Sequence, residues 1–111
     1  MKFSIMFFSS DFGDGDPYRL MIAASRFADA NGFAAVWTPE RHFDRFGGAF
    51  ANPSITSAAL AMVTERVQLR AGSLISPLHD VVRIAEAWAM VDQLSKGRVA
   101  ISFGSGWNAN D

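Results

Sequence analysis

The sequence alternates short apolar segments with amphipathic segments, and this alternation constrains the fold more than any other feature. Four apolar segments are predicted strands, and they begin about every 31 to 33 residues: Lys2–Phe8, Phe33–Trp37, Arg66–Ser73 and Arg98–Phe103. Strands that alternate with helices at this spacing are typical of right-handed βαβ units and a parallel sheet. The sequence therefore predicts an α/β fold, either a doubly wound sheet or a (βα)₈ barrel.

Capping signals predict the helices between these strands. Asp16–Pro17 and Asn52–Pro53 each place a side-chain N-cap before a proline, and Asp80 caps the third helix, which ends near Ser95–Gly97. The first helix is predicted to end at about Ala30. The apolar stripes of the three helices are predicted to face the core: Leu20, Ala24, Phe27 and Ala28; Ile55, Ala58, Ala59, Met62 and Val63; Val81, Ile84, Ala85, Trp88 and Val91.

Composition excludes several classes of function. The chain has 111 residues and a formal net charge of -1, so nothing indicates nucleic acid or an anionic membrane as a partner. It has no cysteine, which excludes disulfides and thiolate chemistry, and no apolar run reaches the roughly 18 residues of a membrane span. Two histidines without metal-ligand spacing predict no metal site. We expect a soluble, cytoplasmic protein.

Polar chemistry follows the second predicted strand. Glu40, Arg41 and His42 come directly after Pro39, and a glycine- and phenylalanine-rich loop follows them. Carboxylate and imidazole groups at the C-terminal end of a strand suit general acid–base catalysis in α/β enzymes. The alternative is a surface loop in which Arg41 pairs with Glu40 and His42 packs on Trp37.

Other strand ends carry weaker signals. Gly72–Ser73 ends the third strand, where glycine permits close approach of a ligand or simply forms a bulge. His79 precedes the third helix and is more typical of a hydrogen-bonding group at a helix start than of a catalytic residue. Gly104–Ala109 matches G-x-G-x-x-A, but it follows the fourth strand instead of the first, which argues against a dinucleotide site. Trp107 suits either a flat ligand or the surface.

Several motifs resemble the flavin-dependent luciferase-like monooxygenases. They are Trp37–Phe43, Asn52–Pro53, Gly72–Ser73, Pro77–Asp80 and Asp92–Arg98, the last reading DQLSKGR. Gly104–Asp111 resembles more narrowly the subgroup associated with polyketide and peptide synthases in natural-product biosynthesis. The resemblance extends through the whole chain, which corresponds to about the first third of a family member.

The resemblance implies a (βα)₈ TIM barrel of which this chain supplies the first four strands and three helices. Residues 1–111 would then be the N-terminal part of one monooxygenase domain, truncated after the fourth strand. It also implies that reduced FMN binds at the C-terminal ends of the strands and reacts with O₂ to form a C4a-peroxide. That species oxygenates a small organic or carrier-protein-bound substrate. A flavin reductase would supply the reduced FMN, and the second and third helices would form a homodimer interface.

The resemblance also implies site residues. Glu40, Arg41 and His42 would lie on the catalytic side of the flavin. Arg41 stands where bacterial luciferases have the first of two histidines, so it could instead stabilise charge on the peroxide or substrate.

Gly72, Ser73 and Gly104 would contact the flavin, with a bulge and a non-proline cis peptide around Gly72–Leu74. Trp107 and Asn108 would bind substrate. Ser105 stands where luciferases have a basic residue, so one phosphate contact is not expected.

Two alternatives remain at this stage. The first is a deazaflavin-dependent oxidoreductase of the same fold. The second is a non-catalytic fragment or partner subunit that binds through exposed helix faces and edge strands.

Overall fold

The computed structural model of the protein describes residues 1–8 and 15–109. Strands and helices alternate in the predicted order. Their bounds are β1 Ser4–Met6, α1 Arg19–Ala30, β2 Ala35–Thr38, α2 Pro53–Ala61, β3 Gln68–Ile75, α3 Val81–Ser95 and β4 Val99–Gly104, with a 3₁₀ turn at Ser76–Leu78 before α3. Residues 110 and 111, the end of the last motif above, lie outside the described residues.

The four strands form one parallel sheet in the order β1-β2-β3-β4. Each strand therefore pairs with the next strand along the chain. A doubly wound sheet reverses its strand order at a switch point, whereas successive staves of a barrel do not. The observed order decides between the two predicted architectures and confirms a partial (βα)₈ barrel.

The outer face of the sheet is covered by the helices and holds the core. One cluster joins β1, β2 and β3 to α1 and α2, and a second joins β3 and β4 to α3. The buried members are Phe7, Met21, Ala28, Val36, Ala49, Phe50, Leu60, Ala61, Val67 and Leu69 in the first cluster, and Ala71, Leu74, Trp88 and Val91 in the second. Burying each large apolar side chain contributes about 1.5–3 kcal/mol.

The predicted apolar faces of the first two helices were correct only in part: Ala24 and Ala28 of α1 and Ala58 of α2 pack on the core. In α1, Leu20 and Phe27 are exposed, and the buried positions include Met21 and Ala28. Asp16 accepts hydrogen bonds from the amides of Tyr18 and Arg19, both at 3.1 Å, as the predicted side-chain cap would, although α1 itself begins at Arg19.

In α2 the polar side chains face the sheet. Ile55 and Met62 are exposed, whereas Thr56 is buried and its hydroxyl bonds the Thr38 hydroxyl at 2.9 Å. Small side chains let α2 lie close to β2, and their hydroxyl groups find partners within that contact. Hydrophobic periodicity alone selects the opposite face of the helix.

The predictions for α3 and β1 were correct in part. Trp88 and Val91 are buried, but Val81 is exposed. Asp80 caps α3 as predicted, and Lys96 and Gly97 end it with positive φ angles of 58° and 82°. Of the predicted first strand, Lys2–Phe8, only Phe7 is buried, directly after β1, and Met6 is exposed on the inner face of the sheet, opposite the helices.

Two charged side chains hold the N-terminal end of β3. Asp29 of α1 accepts hydrogen bonds from the amides of Glu65, Arg66 and Val67 at 2.9, 2.6 and 2.8 Å. Arg98, which precedes β4, donates to backbone carbonyl oxygens of α2, α3 and the segment between α2 and β3. These are the carbonyls of Ala61, Thr64, Val67 and Ser95, at 3.4, 2.9, 2.8 and 2.7 Å.

Burial and neighbouring groups shift the pKa values of both Asp29 and Arg98. Burial raises the pKa of Asp29, but the three backbone amides and the charge of Arg98 outweigh burial and hold that pKa below its usual value. Burial lowers the pKa of Arg98, and Asp29 and Glu65 oppose that effect. The ionised Asp29 carboxylate is therefore the form that stabilises the fold.

We expect Asp29→Asn to lower the free energy of unfolding at neutral pH by about 1–2 kcal/mol, because a charged acceptor of three amides is replaced by a neutral one. A depressed carboxyl pKa contributes stability above the unfolded-state pKa of about 3.9, and this stability is lost as the pH falls through the folded-state pKa. Urea unfolding at pH 7 and at about pH 3 should show the difference from wild type shrinking in acid. Glu86→Gln on the exposed face of α3 is the control, and a difference independent of pH would contradict the assignment.

Candidate active site

Glu40 lies just beyond the C-terminal end of β2, and its side chain is 0% exposed. Its Oε2 accepts the amide of Ile75 at 2.8 Å. Its Oε1 lies 2.7 Å from Nε2 of His42 and 2.7 Å from Nε2 of His79. A buried carboxylate is costly unless donors surround it, and here three donors from three parts of the chain do so.

The hydrogen bonds to Glu40 define the form of both imidazoles. An ionised carboxylate only accepts hydrogen bonds, so each histidine places its proton on Nε2. In a neutral imidazole this leaves Nδ1 as the acceptor. Glu40 therefore orients both rings and fixes their tautomers.

The sequence predicted Glu40 and His42 as a pair and His79 as a hydrogen-bonding group, but it did not predict that His79 bonds Glu40. His79 and Glu40 are 39 positions apart, and no local spacing relates them. Only the parallel pairing of β2 with β3 brings the ends of these strands together, so this contact depends on the fold. A histidine directly after β3 and its 3₁₀ turn was the one available signal.

Arg41 lies between aromatic rings of two loops. Its guanidinium carbon is 5.4 Å from the centroid of Phe46 and 5.8 Å from that of Trp107, and Nη2 lies 3.4 Å from Asp44. The residue is 7% exposed. Arg41 thus connects the loop after β2 to the segment that leaves β4.

Gly47 packs directly against Arg41. It has φ 82°, and a Cβ there would lie 2.8 Å from Cγ of Arg41. Both the backbone conformation and the space require glycine at this position.

β3 contains the predicted bulge. The peptide bond between Gly72 and Ser73 is cis. The pairing with β4 passes from Gly72↔Ser102 to Leu74↔Phe103, so Ser73 has no partner in the register. The expectation of a bulge with a non-proline cis peptide is confirmed.

Small side chains surround this bulge. The Ser73 and Ser102 hydroxyl oxygens lie 3.1 Å apart, and a Cβ on Gly104 would lie 3.4 Å from Cβ of Ser73. On the other side, a Cβ on Gly72 would lie 2.9 Å from the Trp37 ring. The backbone at the ends of β3 and β4 is therefore flanked by small side chains, and Gly72 lies directly against Trp37.

An open cleft of about 360 Å³ lies between the end of β3 and the segment after β4. It is lined by His42, Ile75, Pro77, Leu78 and residues 105–109. Trp107 is 86% exposed, with Arg41 over its ring, and Asn108 completes this wall. The structure thus brings the predicted residues His42, Trp107 and Asn108 together, whereas Gly72, Ser73 and Gly104 lie at the neighbouring strand ends and do not line this cleft.

Residues 1–8 and 15–109 contain no group of three or more His, Cys, Asp or Glu side chains placed to hold a metal ion. None of the helices in this part of the chain is long and apolar enough to cross a membrane.

Comparison with known sequences gives matches along the whole chain. A sequence profile described as "Luciferase-like monooxygenase" matches residues 1–111. The oxygenase component of a flavin-dependent trigonelline monooxygenase from Acinetobacter baylyi is 36% identical over 89 residues, which cover 80% of this chain and 24% of that protein. The alkanal monooxygenase alpha chain of Photorhabdus luminescens is 28% identical over 97 residues, covering 87% and 26%.

Two solved structures have closely similar folds. Monooxygenase RslO1 from Streptomyces bottropensis superposes with a TM-score of 0.93 at 30% identity, covering 99% of this chain and 35% of that one. The oxygenating constituent of 3,6-diketocamphane monooxygenase from Pseudomonas putida, in complex with FMN, gives 0.85 at 18% identity, which is a likeness of fold. The chain spans about a quarter of the length of the two curated relatives named above.

We expect Gly47→Ala to destabilise the protein more than Gly97→Ala does. Both glycines have φ 82°, but a Cβ at Gly97 meets nothing within 4 Å, whereas at Gly47 it collides with Arg41. Gly97→Ala should therefore show only the cost of the positive φ angle, about 1–2 kcal/mol. Gly47→Ala should add at least about 1 kcal/mol of overpacking. Denaturant unfolding measures both, and equal losses would show that Arg41 yields without cost.

Proposed function

The chain belongs to the luciferase-like monooxygenase family, a family of flavin-dependent enzymes, and on that premise we propose that it carries the catalytic end of β2 and part of the flavin site of an FMN-dependent monooxygenase. The enzyme would use reduced FMN and O₂ to oxygenate a small organic substrate. The observation that carries this proposal is the Glu40–His42 pair beside an open cleft at the C-terminal ends of the strands, where barrel enzymes place their chemistry.

The residues at the ends of β3 and β4 fit a flavin ring. Ser73 lies outside the strand register, and Ser102 and Gly104 beside it are small, so a planar ring could lie against the backbone there. We propose Gly72, Ser73 and Gly104 as the contacts with the flavin. When bound, reduced FMN supplies the activation of O₂, because no side chain here performs that chemistry.

We assign the protein's proton chemistry to His42. Glu40 holds its Nε2–H, so Nδ1 is the atom that can accept or return a proton. His42 also lines the cleft that Trp107 borders. Glu40 is buried and acts by fixing this ring.

Arg41 is proposed to act on charge and on cleft shape. Its guanidinium lies over Trp107 and beside Asp44, and Arg41 directly precedes His42 in the same loop. A cation in this position would stabilise negative charge that develops in the cleft. It also holds Trp107, whose other surface is exposed and suits a planar or apolar substrate.

The cleft lining indicates the class of substrate. Ile75, Pro77, Leu78 and Trp107 are apolar, and Asn108 supplies a polar contact. We propose a small organic molecule, free or bound to a carrier protein, in natural-product metabolism in the cytoplasm. A flavin reductase is the proposed source of reduced FMN, and the name "oxygenase component" of the trigonelline relative supports such a two-protein system.

Exposed apolar side chains on α2 and α3 support a homodimer. They are Ile55 on α2, Met62 directly after it, and Val81, Val82, Met90 and Leu94 on α3. Apolar side chains exposed on two neighbouring helices suit an interaction surface. We propose that these two helices form the dimer interface.

We also propose that residues 1–111 contribute to one barrel domain rather than forming a separate domain. The share of each relative that the chain covers supports this. Further strands would pair with β1 and β4, whose outer edges are unpaired among the described strands.

We expect reduced and oxidised FMN to bind saturably to the intact protein that carries this sequence. Gly104→Leu should weaken binding at least about tenfold, because its side chain would project beside Ser73 and Ile75, where the flavin ring is proposed to lie. Phe103→Ala is the matched control: Phe103 shares its face of β4 with Val99 and Ile101, which pack outward against the α3 cluster. Flavin fluorescence measures binding, and oxygen uptake with reduced FMN measures activity.

The outcomes separate the alternatives. Equal effects of Gly104→Leu and Phe103→Ala would overturn the assigned flavin contacts. Binding of a deazaflavin coenzyme without oxygen uptake would favour an oxidoreductase. A folded protein that binds neither coenzyme would be a non-catalytic partner.

A further inference from the structure

We propose that His79 is a positioning residue of the candidate active site, acting through the shared oxygen of Glu40 to hold His42 in its Nε2–H form. This inference rests on the proposed function, because His42 is the group assigned to the chemistry. His79 itself would touch neither the flavin nor the substrate.

The carboxylate of Glu40 is fixed at both oxygens. Oε2 is held by the amide of Ile75, which belongs to β3 and cannot follow a side-chain movement. Oε1 can still turn about that anchor, and its position is set by the Nε2 atoms of both histidines, each 2.7 Å away. The two rings are also similarly exposed, at 22% for His42 and 21% for His79.

His79 reaches Glu40 from a different side of the molecule. It lines a cleft of about 290 Å³ between α2 and α3, together with Asn52, Arg83 and Trp88. His42 lines the clefts around the loop after β2 and the segment after β4 instead. The Glu40 carboxylate therefore separates two imidazoles that face different spaces, and only His42 faces the candidate substrate cleft.

The backbone around His79 is well anchored. Its amide donates to the Ser76 carbonyl at 3.2 Å, and the next residue, Asp80, caps α3 by accepting from Val82 at 2.8 Å. His79 is thus a donor mounted on the start of a 15-residue helix. A donor held this firmly restricts where Oε1 can lie.

Loss of His79 would remove one of the two side-chain hydrogen-bond partners of the buried Glu40 carboxylate. Oε1 would retain His42 as its one side-chain donor and would gain freedom to rotate toward water in the vacated cleft. The bond to His42 would then lengthen or exchange, and the Nδ1–H tautomer of His42 would become populated. A misplaced proton or a shift of about 1 Å at a reacting group costs up to about a hundredfold in rate.

The test uses His79→Leu and His79→Gln in the intact protein that carries this sequence. Leucine removes the donor, whereas the glutamine amide keeps an N–H donor. Nitrogen-15 NMR of labelled histidine reports the tautomer of His42 directly. We expect one Nε2–H tautomer in wild type and in His79→Gln, and a mixture in His79→Leu.

Activity provides the second readout. His79→Leu should lower the turnover of reduced FMN and O₂ about ten- to a hundredfold with FMN affinity changed less than about threefold, and His79→Gln should restore most of it. Arg83→Ala is the control, because Arg83 lines the same cleft but is exposed and pairs with Glu86.

The proposal is overturned if His79→Leu leaves the His42 tautomer unchanged. If His79→Leu fails to fold, His79→Asn decides the matter, since its amide is too short to reach Glu40. A wild-type protein that shows the predicted tautomers but binds no FMN would overturn the flavin proposal and leave this one intact.

Discussion

The buried carboxylate of Glu40 is the interaction on which the candidate site depends. A charge with a fully buried side chain requires donors, and Glu40 takes them from β3, from its own loop and from the start of α3. The same contacts fix the end of the bulged strand and orient two imidazoles. One side chain therefore both stabilises the end of β3 and positions the two histidines of the candidate site.

The order of elements and most capping positions were predictable because they depend on local signals. Asn52–Pro53, Asp80 and Lys96–Gly97 each act within a few residues of themselves, and the structure confirms them. The resemblance gave the bulge at Gly72–Ser73, which residue types alone left open between a ligand site and a simple strand end. Glu40 and His42 were predictable as a pair because they are neighbours in sequence.

What could not be predicted depends on contacts between distant residues. The face of α2 that meets the sheet is chosen by small hydroxyl side chains such as Thr56, whose polarity misleads a count of hydrophobic periodicity. The place of Arg41 between Phe46 and Trp107 requires the loops after β2 and β4 to lie together. The bond between His79 and Glu40 likewise exists only after β2 and β3 have paired.

The contacts of Asp29 and Arg98 have a consequence for how such a barrel can change over evolution. Both side chains bind backbone groups almost exclusively, three amides for Asp29 and four carbonyls for Arg98. Backbone groups are the same whatever side chain they carry, so exposed residues held there, such as Glu65 and Arg66, can mutate while the strands keep their alignment. The loops at the C-terminal ends of the strands can therefore change, and with them the substrate, without disturbing this alignment.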